Sequence, residues 1–132
     1  MMNIQGDVSS SLLMDNVYFE DVHLSTTGAK AVGDGNADVS FKIGVPEIAD
    51  NKMIIKMYCT VSIEGVMKLD ICLVGRFGAD DEEFLKRMIP NAVAIMFPYM
   101  RTQVSLMTAQ PNLPTLVLPA ININSLLGTV CK

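Results

Sequence analysis

The residues that could do chemistry are few and scattered. The sole histidine, His23, stands two positions after Asp21. A carboxylate beside an imidazole is the raw material of a general acid–base pair or of part of a metal site. Nothing in the sequence completes either, and on a strand-like segment His23 reads as a solvated strand histidine. Asp80, Asp81, Glu82 and Glu83 form an acidic run. Such a run could hold a cation, but it is also what a helix start favours, with Asp80 as cap and Glu83 at capping-box spacing. Asp15 and Glu20 are the other candidate carboxylate pair, and nothing near them in the sequence marks either as a proton donor. The three cysteines, Cys59, Cys72 and Cys131, are odd in number and lack CxxC spacing. They read as free thiols of a reducing cytosol. Zinc-ligand spacing, a phosphate-binding glycine loop and a nucleophile elbow are absent from the sequence. The expectation is a protein without catalysis, cofactor or metal.

With no reacting centre to position, the elements must serve a surface. The chain of 132 residues is read as one domain, 1–132. Half of its residues are hydrophobic, which is high for a small monomer, so some apolar surface should meet a partner or a second copy. The net charge is −4 and no basic cluster occurs, which argues against nucleic acid. The first residues lack a signal-peptide pattern, and the most apolar window, 92–100, is far short of the roughly 20 residues a membrane span needs. A cytoplasmic protein without membrane insertion is expected.

Residues 53–64 alternate: Met53, Ile55, Met57, Cys59, Val61 and Ile63 share one face. Leu69, Ile71, Leu73 and Phe77 repeat the pattern, and Gly65 between them predicts an antiparallel hairpin. Val39, Phe41, Ile43 and Val45 form another strand, stopped by Pro46. A first strand over 13–24 is less regular, with Leu13, Val17 and Phe19 on one face and a bulge or an edge position at its end. Residues 25–37, with three glycines, predict a mobile crossover. A short helix follows residue 80 and is interrupted at Pro90 and Asn91. A longer one then runs to about Gln110. On it Val93, Met96, Phe97, Met100, Val104 and Met107 make a stripe, which Ile95, Tyr99 and Leu106 widen to an arc of about 200°. An arc that wide calls for contact with the sheet and with something beyond it. Pro98 inside this helix costs about 3 kcal/mol in a regular interior and needs a reason. Residues 122–127 predict a last helical turn, with Gly128 as its stop. The class is α+β: a four-stranded antiparallel sheet with a long kinked helix on one face and a short C-terminal helix.

The segment from Pro90 to Met107 resembles the main helix of the SecB family of protein-export chaperones. The likeness rests on the Pro90-Asn91 start and the core Phe97-Pro98-Tyr99-Met100-Arg101. It continues through Leu113-Pro114-Thr115-Leu116-Val117-Leu118-Pro119, then Ile121-Asn122-Ile123 and Leu126-Leu127. Asp15-Asn16-Val17-Tyr18-Phe19-Glu20 also resembles the family's first strand.

The resemblance implies a dimer of dimers, with the helices at the tetramer interface. It implies ATP-independent binding of unfolded preproteins, without turnover. The binding groove would be formed by Phe97, Tyr99, Leu113, Leu116 and Leu118 on the matched motifs, with Val39 and Phe41 placed by strand order. The family's acidic tail, which contacts the SecA motor ATPase, has no counterpart before Lys132. Asp15, Glu20 and Glu64 are the expected remaining docking face for that partner. A second reading is a dedicated chaperone or interaction module for one partner, such as an antitoxin of a toxin–antitoxin system. The ten methionines suit either role, because a flexible, polarizable side chain adapts to many partners. Micromolar binding needs about 8 kcal/mol, and one buried large side chain supplies about 1.5–3 kcal/mol. After ordering costs, about five or more client side chains must be buried at once, which favours long unfolded chains.

Overall fold

A strand buried on one face alternates, and β4 (Lys52–Ile63) does so along its whole length, with Met53, Ile55, Met57, Cys59, Val61 and Ile63 all buried. It turns directly into β5 (Met67–Gly78). Gly65 sits at φ 75 in that turn, where the Val66 N–H donates to the Ile63 carbonyl at 2.9 Å. A side chain at this φ is strained, so glycine belongs here. The other elements are β1 (Leu13–Thr26), β2 (Asp38–Ile43), β3 (Glu47–Ala49), α1 (Glu82–Arg87), α2 (Ile89–Thr108) and α3 (Ile123–Leu127). This computed structural model describes residues 12–30, 36–120 and 122–127. Residues 31–35 of the expected crossover, Ile121, Gly128 and Cys131 lie outside the described residues.

All pairings are antiparallel, in the order β1-β5-β4-β2, with β3 on β4 beside β2. The sheet therefore has five strands where four are expected. The addition, β3, is three residues long and returns to β4 through Asp50 and Asn51, at φ 52 and 59. Two positive φ values in succession make a tight turn matched to strand twist, and Asp and Asn tolerate them best after glycine. Three residues carry too little alternation to be seen in sequence.

β1 is an edge strand with register shifts between Met14 and Asn16 and between Phe19 and Asp21. Each shift inserts one residue, Asp15 or Glu20, and resets which face follows. Val17 and Phe19 lie opposite Gly75 and Leu73 on the helix-covered face. Leu13, opposite Gly78, falls on the other face, so the expected grouping of Leu13 with Val17 is corrected by the bulge at Asp15.

The cap of α1 is Asp81, one residue later than expected. Its Oδ1 accepts from the Glu83 N–H at 3.0 Å, and its backbone is extended at φ −143 and ψ 127. α2 crosses the inner face of the sheet with Ala92, Val93, Met96, Phe97, Met100, Val104 and Thr108 buried. Gly75 makes this approach possible. A Cβ there would lie 2.7 Å from Met96 Sδ and 2.7 Å from Phe77 Cε2. Pro98 lies on the exposed side of α2, as does Ala94 four residues before it. The carbonyl that loses its partner to Pro98 thus faces water, which softens the cost of an internal proline.

Candidate functional site

The expected groove residues meet at a seam between β2, α2 and the connection after it. Register places Val39, Phe41 and Ile43 opposite Val61, Cys59 and Met57, on the helix-covered face. Phe41 meets Phe97 of α2 edge to face, with ring centroids 5.7 Å apart and planes at 61°. Val39, nearer the start of the strand, is 41 % exposed. After α2 the chain has neither helix nor strand over 113–120 and runs back along the helix as a strap. Burial alternates on it: Thr115 is exposed, Leu116 half-buried, Val117 exposed and Leu118 buried. A period of two means a locally extended backbone. Leu118 belongs to the core cluster with Phe97 and Ile43, and Phe41, Leu113 and Leu116 pack against that cluster.

Two side chains of α2 hold the strap at one residue. The Ser105 hydroxyl donates to the Leu116 carbonyl at 2.8 Å. The Leu116 N–H donates to Thr108 Oγ1 at 2.9 Å, and the same hydroxyl donates to the Val104 carbonyl at 2.8 Å. Thr108 is fully buried and has its hydroxyl satisfied on both sides. Ser105 and Thr108 stand one turn apart, the spacing needed to reach both backbone groups of one extended residue. Sequence reasoning missed them. Their only signal is a hydroxyl pair at i and i+3 near a helix end, where Ser and Thr commonly bond backbone.

Tyr99 is not part of this seam. At 100° per residue it points about 160° away from Phe97, onto the outer side of α2. There it forms an exposed stripe with Ile95 and Leu106. Leu106 is 64 % exposed, and Val117 of the strap is 69 % exposed. The wide arc of the sequence thus divides between the sheet and solvent.

Asp15, Glu20 and Glu64 also separate. Asp15 and Glu20 are the two inserted residues of β1, and each reaches across β5 to a lysine of β4. Lys52 Nζ lies 3.0 Å from Asp15 Oδ2, and Lys56 Nζ lies 3.2 Å from Glu20 Oε2. Glu64 sits in the turn between β4 and β5, at the far end of the sheet. The Lys56 ammonium holds the Glu20 carboxyl below its usual range, and the Cys72 thiol, which donates to it at 3.5 Å, adds to this. The same bond holds Lys56 above the usual lysine value. Burial, and then the neighbouring Glu20, push Cys72 up to about 11. Burial, and then Asp70, push Cys59 up to about 12. Both thiols are buried and free. His23 is exposed on the open face, opposite Asp70.

Among the described residues no group of three or more His, Cys, Asp or Glu could hold a metal, and no helix is long and apolar enough to cross a membrane. A cleft of about 500 Å³ lies between the start of α2 and α3, lined by Pro90, Ala94, Ile95 and Ile123. Another, of about 320 Å³, lies between Pro98, Arg101, Ser105 and Val117. Neither is lined by Phe41, Phe97 or Leu118, and at the seam Phe97 and Leu118 are themselves buried. No charged residue occurs from Met88 to Met100, and none from Thr102 to Cys131, so Arg101 is the one charge in that stretch of the sequence. Among the described residues such a surface offers apolar area and scattered hydrogen bonds.

No protein-family model matches the chain. A stretch of 40 residues is 42 % identical to part of an uncharacterized protein of Methanocaldococcus jannaschii, covering 30 % of this chain and 26 % of that protein. The chain thus matches only about a quarter of the length of that relative. A crystal structure of a protein of unknown function from Streptococcus agalactiae aligns at TM-score 0.47 and 11 % identity, over 83 % of this chain and 98 % of that one. The Mycobacterium tuberculosis SecB-like chaperone Rv1957, in complex with a ChAD peptide from the HigA1 antitoxin, aligns at TM-score 0.65 and 15 % identity. That alignment covers 87 % of this chain and 94 % of the chaperone. From the edge strand β1 to the long helix across the sheet, this chain has the SecB-like fold.

Proposed function

We propose that the protein is an ATP-independent holdase, a single domain over 1–132 that binds unfolded polypeptide, including preproteins, in the cytoplasm. The observation that carries this reading is the stretch from α2 through the strap, in which Arg101 is the one charge and Ile95, Tyr99, Leu106 and Val117 are exposed. A binder of many sequences needs adaptable apolar contact more than directional bonds. The binding site lies at the seam, with Val39, Phe41 and Phe97 on its fixed side and Leu113, Leu116 and Leu118 on its movable side. Tyr99 serves with Ile95 and Leu106 as the contact to a second copy, giving a homodimer or homotetramer. Asp15, Glu20 and Glu64 are the docking face for a motor such as SecA. The ion pairs of the first two would have to yield to that partner.

The test is suppression of aggregation of a chemically denatured model protein at near-stoichiometric protomer, without nucleotide. Failure to suppress, with the oligomer intact by light scattering, sinks the reading. The second reading, a chaperone devoted to one partner such as an antitoxin, is favoured by the antitoxin peptide bound to the Mycobacterium tuberculosis neighbour. A pulldown dominated by one protein, with no affinity for generic unfolded chains, decides for it.

A further inference from the structure

The strap has the chemistry of a client. Residues 113–118 are uncharged, locally extended and punctuated by proline, and they send Leu116 and Leu118 towards the core while Val117 points out. Both backbone groups of Leu116 are bonded by side chains of α2, which clasps the strap at that residue. The seam beneath is closed: Leu118 is 2 % exposed and Phe97 7 %. A site closed by its own chain can bind another only when that chain moves.

We propose that the strap is an internal ligand of the seam, and that a client binds by replacing it with an uncharged extended segment carrying apolar residues at i and i+2. This rests on the polypeptide-binding reading above and refines it. Leu113, Leu116 and Leu118 hold the places of client side chains, and Val39, Phe41 and Phe97 are the wall that receives them. Ser105 and Thr108 are positioning residues for the strap: their hydroxyls clasp the Leu116 backbone, while a client is held at the wall by its side chains. A segment tethered by a short connection competes at an effective concentration in the millimolar range, so a free peptide meets a high threshold. The apparent affinity of an outside ligand is its intrinsic affinity multiplied by the fraction of molecules with the strap lifted. This selects long clients that present several such segments at once.

The test weakens the clasp and reads both motion and binding. Ser105→Ala removes the bond to the Leu116 carbonyl, and Thr108→Val removes the acceptor for its N–H, while Thr108→Ser keeps the hydroxyl. The probes are a labelled peptide with the sequence of residues 112–120 and reduced, carboxymethylated α-lactalbumin, which stays unfolded. Each clasp variant should speed hydrogen exchange at the Leu116 amide and tighten peptide binding about five- to tenfold, the factor carried by one lost hydrogen bond. Thr108→Ser should behave as the parent. The peptide carrying Leu116→Ser and Leu118→Ser should lose binding, and the one carrying Val117→Ser should keep it. Faster exchange without tighter binding overturns the proposal and leaves client binding standing. Equal loss for both serine peptides overturns the i, i+2 pattern. If the parent and the variants all leave α-lactalbumin unbound, the holdase reading falls and takes this inference with it. Should Thr108→Val fail to fold, Ser105→Ala carries the same comparison, because its partner carbonyl can turn to water.

Discussion

The two faces of the sheet are built on opposite plans. The open face is a set of cross-strand polar pairs: Asp15 with Lys52, Glu20 with Lys56, Thr60 with Asp70 at 2.8 Å, and Arg76 stacked 5.7 Å from the Tyr18 ring. Even there Cys72 and Val74 are buried, flanked by Tyr18, Glu20, Lys56 and Tyr58 from the neighbouring strands. The covered face has almost no polar contact. It is held by methionine and aliphatic packing, with the hydroxyl clasp on Leu116 as a polar device at its rim. Exposed ion pairs contribute little to stability but fix geometry, and β1 needs them because its two bulges break the periodicity that would set its register. Apolar packing contributes most of the stability and is indifferent to sequence detail, which is why the covered side is the one suited to bind many chains.

The contrast can be broken from either side. The largest effect should come from Leu73→Ala, at the centre of the covered face and fully buried. It should cost about 2–5 kcal/mol in urea unfolding. Gly75→Ala should follow at about 1–3 kcal/mol, because the new methyl lands on Met96 and Phe77 and both must give way. A cost near zero would mean that α2 rides loosely on the sheet. Glu20→Gln should leave unfolding at pH 7 nearly unchanged and alter the acid and alkaline limbs. The Glu20 carboxyl is held below its usual 4.5 by Lys56, so its stabilisation is present above that value and lost as pH falls through the depressed one. Lys56 is held above 10.5, so its share is present below that value and lost as pH rises through the raised one. Between these limits the pair should give a flat profile, and a slope near neutrality would contradict the pairing. Smallest of all, Cys59 and Cys72 should show no labelling by a maleimide at pH 8 in the folded protein, as mapped by peptide digestion. The shift of Cys72 from 9.0 to about 11 alone lowers its thiolate population about a hundredfold.

The sequence made the covered face legible and the open face only partly so. Alternation in β4 and β5 marked their buried residues, because a period of two is set by burial itself. The stripe of α2 was equally visible at helical pitch. β1 was misread at Leu13 because a bulge is an insertion in the pairing, and only the partner strand reveals it. The cap moved from Asp80 to Asp81 because neighbouring aspartates have equal propensity, and backbone geometry chooses between them. At the candidate site, Phe41 and Phe97 were placed together by strand order and motif, and they meet. Tyr99 went to the opposite side because a motif records adjacency in sequence, and two residues along a helix are nearly opposite in space. That the seam is shut by its own strap was beyond the sequence, since the strap's apolar residues look the same as wall or as occupant.

The position of β1 also bears on how the chain assembles. β3, β4 and β5 are joined by two tight turns, so their pairing closes loops of only a few residues. β1 pairs with β5 alone, from Leu13 opposite Gly78 to Thr26 opposite Met67. Loop closure over that span is the slow step in forming such a sheet. During synthesis β1 is made early, yet its partner follows only after some 40 to 65 further residues, about 2 to 13 s at ordinary elongation rates. Through that interval it is an unpaired strand with Val17, Phe19, Val22 and Leu24 uncovered. Asp15 and Glu20, interrupting it with charge, keep this strand, made before its partner, from finding another chain before it finds its own.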